Sequence, residues 1–178
     1  MKTRMKVMLG LGMLGLLAGQ AQAAGNPDTM TVSVTPNVTY AVTITSVNAS
    51  GYQFGNVNLG ATTQSTSAIV LTNSGNVAEY FSLAMSNTSG SWTLTTGAPG
   101  TDTFRVGALL QSGQPAVGSF TDFLSVPPVP GAAAALYGQA STKTSPSGTK
   151  NLWLRLEMPT ALNTGTSGAQ TATLYVNG

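Results

Sequence analysis

Residues 52–77, YQFGNVNLGATTQSTSAIVLTNSGNV, decide the fold class of this chain. The stretch contains no acid, base, histidine or cysteine. An apolar run ends at the turn sequence Asn73-Ser-Gly-Asn76, and Asn and Gly are residues that tolerate positive φ in turns. We therefore predict a short strand ending at Gly60, a polar turn, a buried strand over residues 67–72 and a second turn into the next core strand.

Alternation of apolar and polar residues predicts strands on both sides of this stretch. In TMTVSV, Met30, Val32 and Val34 share one face, and the period of two continues through residues 38–46, which is typical of half-buried strands. The remaining predicted strands are at residues 56–60, 67–72, 78–86, 91–95, 102–110, 150–157 and 170–176. Without a convincing helical period, the pattern favours an all-β, antiparallel β-sandwich, with Trp92 and Trp153 in its core.

Residues 111–149 interrupt the alternation. They include the proline-rich run 126–130, which cannot belong to a central strand because proline lacks the N–H that a ladder needs. We expect a loop-rich excursion at residues 111–149 within a single domain over residues 24–178.

Residues 1–23 have the pattern of a cleaved signal peptide. Basic residues come first, an apolar run follows, and Ala21-Gln-Ala23 offers small residues for cleavage after Ala23. The apolar run is shorter than the ~20 residues that span a bilayer. We predict a secreted protein, extracellular or periplasmic, with no membrane span in the mature chain.

Removing the signal changes the charge balance. The whole chain has 7 Lys+Arg against 5 Asp+Glu, and three of the basic residues are Lys2, Arg4 and Lys6. Four basic and five acidic residues remain in the mature chain, so its formal net charge is 4 − 5 = −1. This balance gives no argument for a nucleic-acid partner.

The side chains that most catalytic and metal sites require are missing from the sequence. The chain has 0 His and 0 Cys, which removes the usual general base, the thiol nucleophile and the soft metal ligands. The five carboxylates of the mature chain are isolated in sequence, whereas calcium sites cluster them. We predict no enzyme, no catalytic or metal-binding residues and no cofactor.

The run FGNV-x-LG-x8-IVLTNSGNV resembles bacterial immunoglobulin-like domains of the ASH/HYDIN and major-sperm-protein type. The resemblance covers residues 52–96 well and 150–176 loosely, and it says little about 101–149. It implies an immunoglobulin-like sandwich that works in binding, adhesion, assembly or spacing, with no catalytic residues to carry over.

A structural or adhesive role at the cell surface or in the extracellular matrix fits these properties. The strand containing Met30, Val32 and Val34 is a candidate for subunit contact, because a terminal strand can pair with the open edge of a neighbour. Pairing within its own sheet is favoured by the higher effective concentration. The expected partner is protein, either another copy or other surface proteins, or polysaccharide.

Carbohydrate binding is the alternative function. Sugar sites use exposed aromatic rings, and Tyr52 and Tyr137 lie beside Gly or Gln in sequence that resembles loops. These two residues are the candidate ligand-facing aromatics, although fold alone does not imply function.

Overall fold

A computed structural model of the chain describes residues 30–46, 51–126, 137–139, 142–163, 165 and 167–178. The predicted signal peptide at residues 1–23 lies outside the described residues, as does the middle of the predicted excursion, residues 127–136. The chain divides into a unit Met1–Pro36 and a unit Asn37–Gly178. Every strand assigned in the described residues belongs to the second unit.

The described part of the chain is all-β, as the alternation predicted, with one short 3-10 turn at Val117–Ser119. Its strands are β1 (Val42–Ile44), β2 (Thr62–Gln64), β3 (Ile69–Asn73), β4 (Ser82–Met85), β5 (Thr93–Leu94), β6 (Thr103–Leu110), β7 (Asp122–Phe123), β8 (Thr149–Glu157) and β9 (Leu174–Asn177). The sheets are rich in antiparallel pairs, an arrangement compatible with a β-sandwich.

The larger sheet is built around β8. Its main order is β1-β3-β8-β6-β5, and β2 pairs with β8 while β7 pairs with β6. The sequence of β8, TKNLWLRLE, contains no proline or glycine, so its backbone can form ladders on both edges. The two-residue β5 runs parallel to β6, which departs from the wholly antiparallel prediction because the chain loops back between these strands.

The smaller sheet contains β4 and β9, paired antiparallel with Met85 opposite Leu174. Leu83 and Met85 are buried, and Leu174 and Val176 are partly buried against the same core. Among the described residues each of these two strands has a single strand partner.

Alternation along β8 gives the larger sheet two different faces. Leu152 and Leu154 belong to the hydrophobic core and Leu156 packs against it, and we call their side the inner face. The residues between them, Trp153 and Arg155, point to the opposite side, which we call the outer face, because successive strand residues point in opposite directions.

The turn after β3 is held by the buried side chain of Asn73. Its amide donates to the carbonyls of Val77 and Thr144 at 2.8 Å each, and its Oδ1 accepts from the Gly75 N–H at 2.9 Å. Positive φ was the expected reason for glycine here, but Gly75 is not in the left-handed region. A Cβ on Gly75 would collide with the backbone oxygen of Thr39, so a close backbone approach is what requires glycine.

Several predicted strands are absent or shorter than expected. No strand forms at residues 56–60 or in the described part of the predicted N-terminal strand, 30–34. The strand expected over residues 38–46 is reduced to β1, and β2 and β7 were not predicted. Alternation reports only which residues could share a face, whereas a strand also needs a partner for its backbone hydrogen bonds.

Candidate functional site

A groove of about 960 Å³ opens on the inner face of the larger sheet, beside β9. Pockets that bind small molecules have volumes of about 300–1,000 Å³, so this groove is at the large end. Buried side chains of three strands, Ile69, Val106 and Leu154, line it from the sheet side. They point inward because they alternate with outward-facing residues on β3, β6 and β8.

One wall of the groove is the loop of residues 51–59. The rings of Tyr52 and Phe54 meet edge to face, with centroids 5.0 Å apart. The Tyr52 hydroxyl accepts a hydrogen bond from the Thr66 N–H at 2.8 Å, which fixes the ring against the segment before β3. Gly55 and Gly60 have φ of 73° and 69°, so left-handed backbone lies just before the predicted 56–60 strand and at its last residue, where extended pairing would end.

A second wall consists of Leu174 of β9 and the residues that precede β9. Beyond β4, the Ser86 N–H donates to the Thr173 carbonyl at 2.9 Å and the Ser89 N–H donates to the Thr171 carbonyl at 2.8 Å. The pairing of this wall with β4 therefore extends past the assigned strand, and Leu174 lines the groove. We call the side of β9 away from β4, which has no strand partner among the described residues, the β9 edge.

Trp92 and Phe104 pack together within the groove lining, with ring centroids 6.5 Å apart and planes inclined by 52°. The Thr88 hydroxyl accepts from the Trp92 N–H at 2.9 Å and holds the loop before β5 in place. Trp92 is 8% exposed and Trp153 is 7% exposed, which confirms that both tryptophans pack in the interior.

The groove has no ionic character. None of the described residues that line it is charged, and amide and hydroxyl groups such as Gln53, Asn56 and Gln170 supply its polar part. Such a surface can bind an apolar or neutral segment, but it offers no charged partner to an ionic ligand.

The outer face of the larger sheet is covered by residues 111–123, of which the last two form β7 and pair with β6 at the edge of the sheet. The Arg155 guanidinium donates to the Val117 carbonyl at 2.7 Å. Phe120 is 3% exposed and lies on Gly107, where an added Cβ would be 3.0 Å from the Phe120 Cβ. The first part of the predicted excursion is thus a packed cover over the sheet.

Two arginines share one glutamate beneath this cover. The Arg105 Nη2 lies 2.5 Å from one carboxylate oxygen of Glu157, and Arg155 contacts the other oxygen. The Arg105 and Arg155 guanidinium carbons lie 4.0 and 5.3 Å from the ring centroid of Phe123, within cation–π range. The ions thereby join strands β6 and β8 to the covering segment.

The two predicted ligand-facing aromatics lie in different environments. Tyr52 is half-buried and lines the groove. Tyr137 is 6% exposed, and its hydroxyl donates to the Leu83 carbonyl at 3.3 Å. The Tyr137 ring therefore packs in the core, with little of its surface open to solvent.

The predicted subunit-contact residues are open to solvent. Met30, Val32 and Val34 are 84%, 78% and 88% exposed. They are not part of any assigned strand. Their role in subunit contact stays a prediction.

Sequence reasoning missed most of the groove. Phe54 stood beside Tyr52 in the opening stretch, and its position before a glycine was the signal that could have identified it as a wall residue. Leu162 and Leu174 also line the groove, but their neighbours in sequence give no comparable signal. Leu174 reaches the groove because β9 pairs with β4, and Leu162 follows Ala161, which forms an isolated bridge with Thr101.

Burial alters two titratable groups. It raises the pKa of Glu79, and a hydrogen bond with the backbone of Ala41 partly offsets this effect. Burial also raises the pKa of Tyr137, and the negative charge of Asp122 adds to the increase. Neither Glu79 nor Tyr137 lines the groove.

Among the described residues, no three or more Asp and Glu side chains come together as a metal site would require. In the same part of the chain, no helix has the length and apolarity to cross a bilayer.

Comparison with known proteins gives no relative. No family model matches the chain, and no curated protein or solved structure matches it. The resemblance to immunoglobulin-like domains therefore depends on the quoted sequence motifs alone.

Proposed function

We propose that this protein is exported by a cleaved signal peptide and acts, without catalysis, as a structural or adhesive component of the cell surface or extracellular matrix. Its fold would be an immunoglobulin-like β-sandwich, and it would associate with other protein chains through strand edges.

The observation that carries the proposal is the β9 edge beside the groove. A strand edge without a partner presents unpaired N–H and C=O groups, and such edges bind added strands. Here the edge adjoins an uncharged groove with an apolar floor. Main-chain pairing would give affinity, and side chains in the groove would give specificity.

The charge distribution supports association over chemistry. Only 7% of the residues are charged, and three of them, Arg105, Arg155 and Glu157, form ion pairs with one another on the outer face. Self-repulsion between copies would be weak, because few charges oppose close approach.

The test combines localisation with particle size. Cells expressing the complete sequence are fractionated, and the exported protein is studied by size-exclusion chromatography with light scattering, beside a variant without residues 24–36. Exported protein that forms large assemblies supports the proposal. A protein retained in the cytoplasm, or one that stays monomeric and binds no surface protein, contradicts it.

Carbohydrate binding remains a second candidate because of one observation. The Tyr52–Phe54 ring pair lies in the same groove as the amides of Gln53, Asn56 and Gln170, and aromatic rings with nearby amides are the groups that bind sugars. A glycan array with wild type and Tyr52→Ala tests this function, which requires binding that the substitution abolishes.

A further inference from the structure

We propose that the occupant of the groove is residues 30–34 of a second copy of this chain. The segment binds as an added strand along the β9 edge, with Met30, Val32 and Val34 inserted into the groove. This inference rests on the proposed structural function and names its partner and its contact surface.

The donor segment has the chemistry that an inserted strand needs. Its sequence, MTVSV, places apolar side chains at every second position, so all three point to one side when the segment is extended. These side chains are 78–88% exposed. Thr31 and Ser33 alternate with them and would face solvent in the complex.

In the copy that receives the segment, one edge of the smaller sheet is already paired and the other edge is available. On the far side of β4, the Gln139 amide bonds to both the N–H and the carbonyl of Phe81, each at 3.0 Å. The Met85 N–H also donates to the Ser125 carbonyl at 3.3 Å. That side of the smaller sheet is covered by this chain, which leaves the β9 edge for an added strand.

The groove and the segment agree in size and charge. Five extended residues span about 17 Å, and the groove runs beside the wall of residues 167–174 with a volume of about 960 Å³. No described residue of the groove lining is charged, and neither is any residue of MTVSV. Insertion would therefore bury no unpaired charge.

A second copy is favoured as the occupant because one chain supplies both halves of the contact. The donor segment and the groove are different surfaces, so the contact is heterologous, and such contacts continue into rings or filaments. Repeated contact of this kind would build the structural assembly from identical subunits.

The first test places charge on the donor. In the complete chain, Val32→Lys with Val34→Lys puts two ammonium groups where the groove offers no counter-charge. We expect the concentration needed for assembly to rise on the order of 100-fold. The matched control, Thr31→Lys with Ser33→Lys, adds the same charge on the other side of the segment and should assemble as wild type does.

These donor residues are exposed, so both double variants should fold, which far-UV circular dichroism can check. Equal loss of assembly in both variants would indicate a general charge effect and overturn the proposal. Retained assembly in the Val32→Lys, Val34→Lys variant would overturn it as well, while leaving the proposed structural function intact. Monomeric wild-type protein would overturn the proposal too, and it would contradict the proposed function only if the protein also bound no other surface protein.

The second test identifies the partner by crosslinking, since the chain has no native cysteine. Copies carrying Met30→Cys, Val32→Cys or Val34→Cys are each mixed with copies carrying Ala172→Cys, an exposed groove position, and mildly oxidised. We expect a disulfide-linked dimer of the two different variants from at least one mixture. Thr31→Cys and Ser33→Cys are the controls and should give less.

Mixing separates the possible sources of the occupant. A segment that occupied the groove of its own chain would give no crosslink between differently labelled copies, and neither would a groove filled by another protein. Either outcome would overturn the proposal.

Discussion

The two faces of the larger sheet meet different partners. On the outer face, residues 111–123 of the same chain lie over β6 and β8, with Phe120 buried and two arginines bound to Glu157. On the inner face, the smaller sheet supplies two strands, and a groove of about 960 Å³ remains beside them. The outer face is covered by a segment of the same chain, whereas the inner face is left open along the β9 edge.

The difference shows how a charge-poor chain uses its few ions. Arg105, Arg155 and Glu157 lie on the outer face, where the two arginines contact Val117 and Phe123 of the covering segment. The inner face depends on apolar contact alone, so a gap in its cover is a site where another apolar segment can bind.

The largest expected effect comes from opening the outer face. Phe120→Ala should lower the free energy of unfolding by about 3–5 kcal/mol, because it leaves a cavity over Gly107. Urea denaturation measures this loss. Val117→Ala, at a side chain that is 45% exposed, is the control and should change stability by less than about 1 kcal/mol. Similar losses in both variants would mean that Phe120 does not anchor the cover.

Removing the carboxylate of Glu157, which the two arginines share, should have the next largest effect on the free energy of unfolding. Glu157→Gln leaves Arg105 and Arg155 without their counter-ion, and we expect a loss of about 1–3 kcal/mol. The value is below that of a fully buried pair because the side chains are 11–20% exposed. Urea denaturation at low and high salt provides the measurement, and an unchanged midpoint would show that the ions do not hold the outer face.

A smaller effect should appear in the pH dependence of stability. Burial raises the folded-state pKa of Glu79 above its ordinary value of 4.5, so the folded form holds its proton more tightly than the unfolded form. Below 4.5 both forms are protonated and there is no penalty. As the pH rises through that value towards the folded pKa, stability falls, and above the folded pKa the loss is complete.

Glu79→Gln should remove the loss of stability that ionisation of Glu79 causes as the pH rises. The urea midpoints of wild type and Glu79→Gln, compared from about pH 4 to about pH 8, should separate with rising pH in favour of the variant. A constant difference between the two would contradict the raised pKa.

The smallest effect on stability is expected in the groove itself. Ala172→Lys changes an exposed side chain of the groove lining, so the free energy of unfolding should stay within about 0.5 kcal/mol of wild type. Assembly measured by light scattering should nevertheless be lost, because the lysine occupies the path of the inserted strand. Unchanged assembly would show that the groove is not the contact surface.

Long alternating segments with partners within the sheets were predictable. The residues predicted at 102–110 and 150–157 became β6 and β8 with nearly the same bounds, because their alternation spans enough residues to fix an inner and an outer face. Short segments were less reliable. β2 has three residues and β7 has two, and their neighbours, not their own side chains, decide that they pair.

The candidate site was predictable only in part. Tyr52 was selected from its glycine-flanked position and lines the groove. Tyr137 was selected by the same reasoning and is buried, since local sequence does not report whether a loop folds back into the core.

The sequence by itself determined the all-β fold, the charge-poor composition and the absence of histidine and cysteine, because periodicity and residue inventory are properties of the linear chain. Only the tertiary structure decided that residues 111–123 cover one face and that the β9 edge stays open beside the groove. Both depend on contacts between residues far apart in sequence, such as Arg105 with Glu157 and Met85 with Leu174. Such contacts are fixed by the packing of whole faces and not by any local pattern.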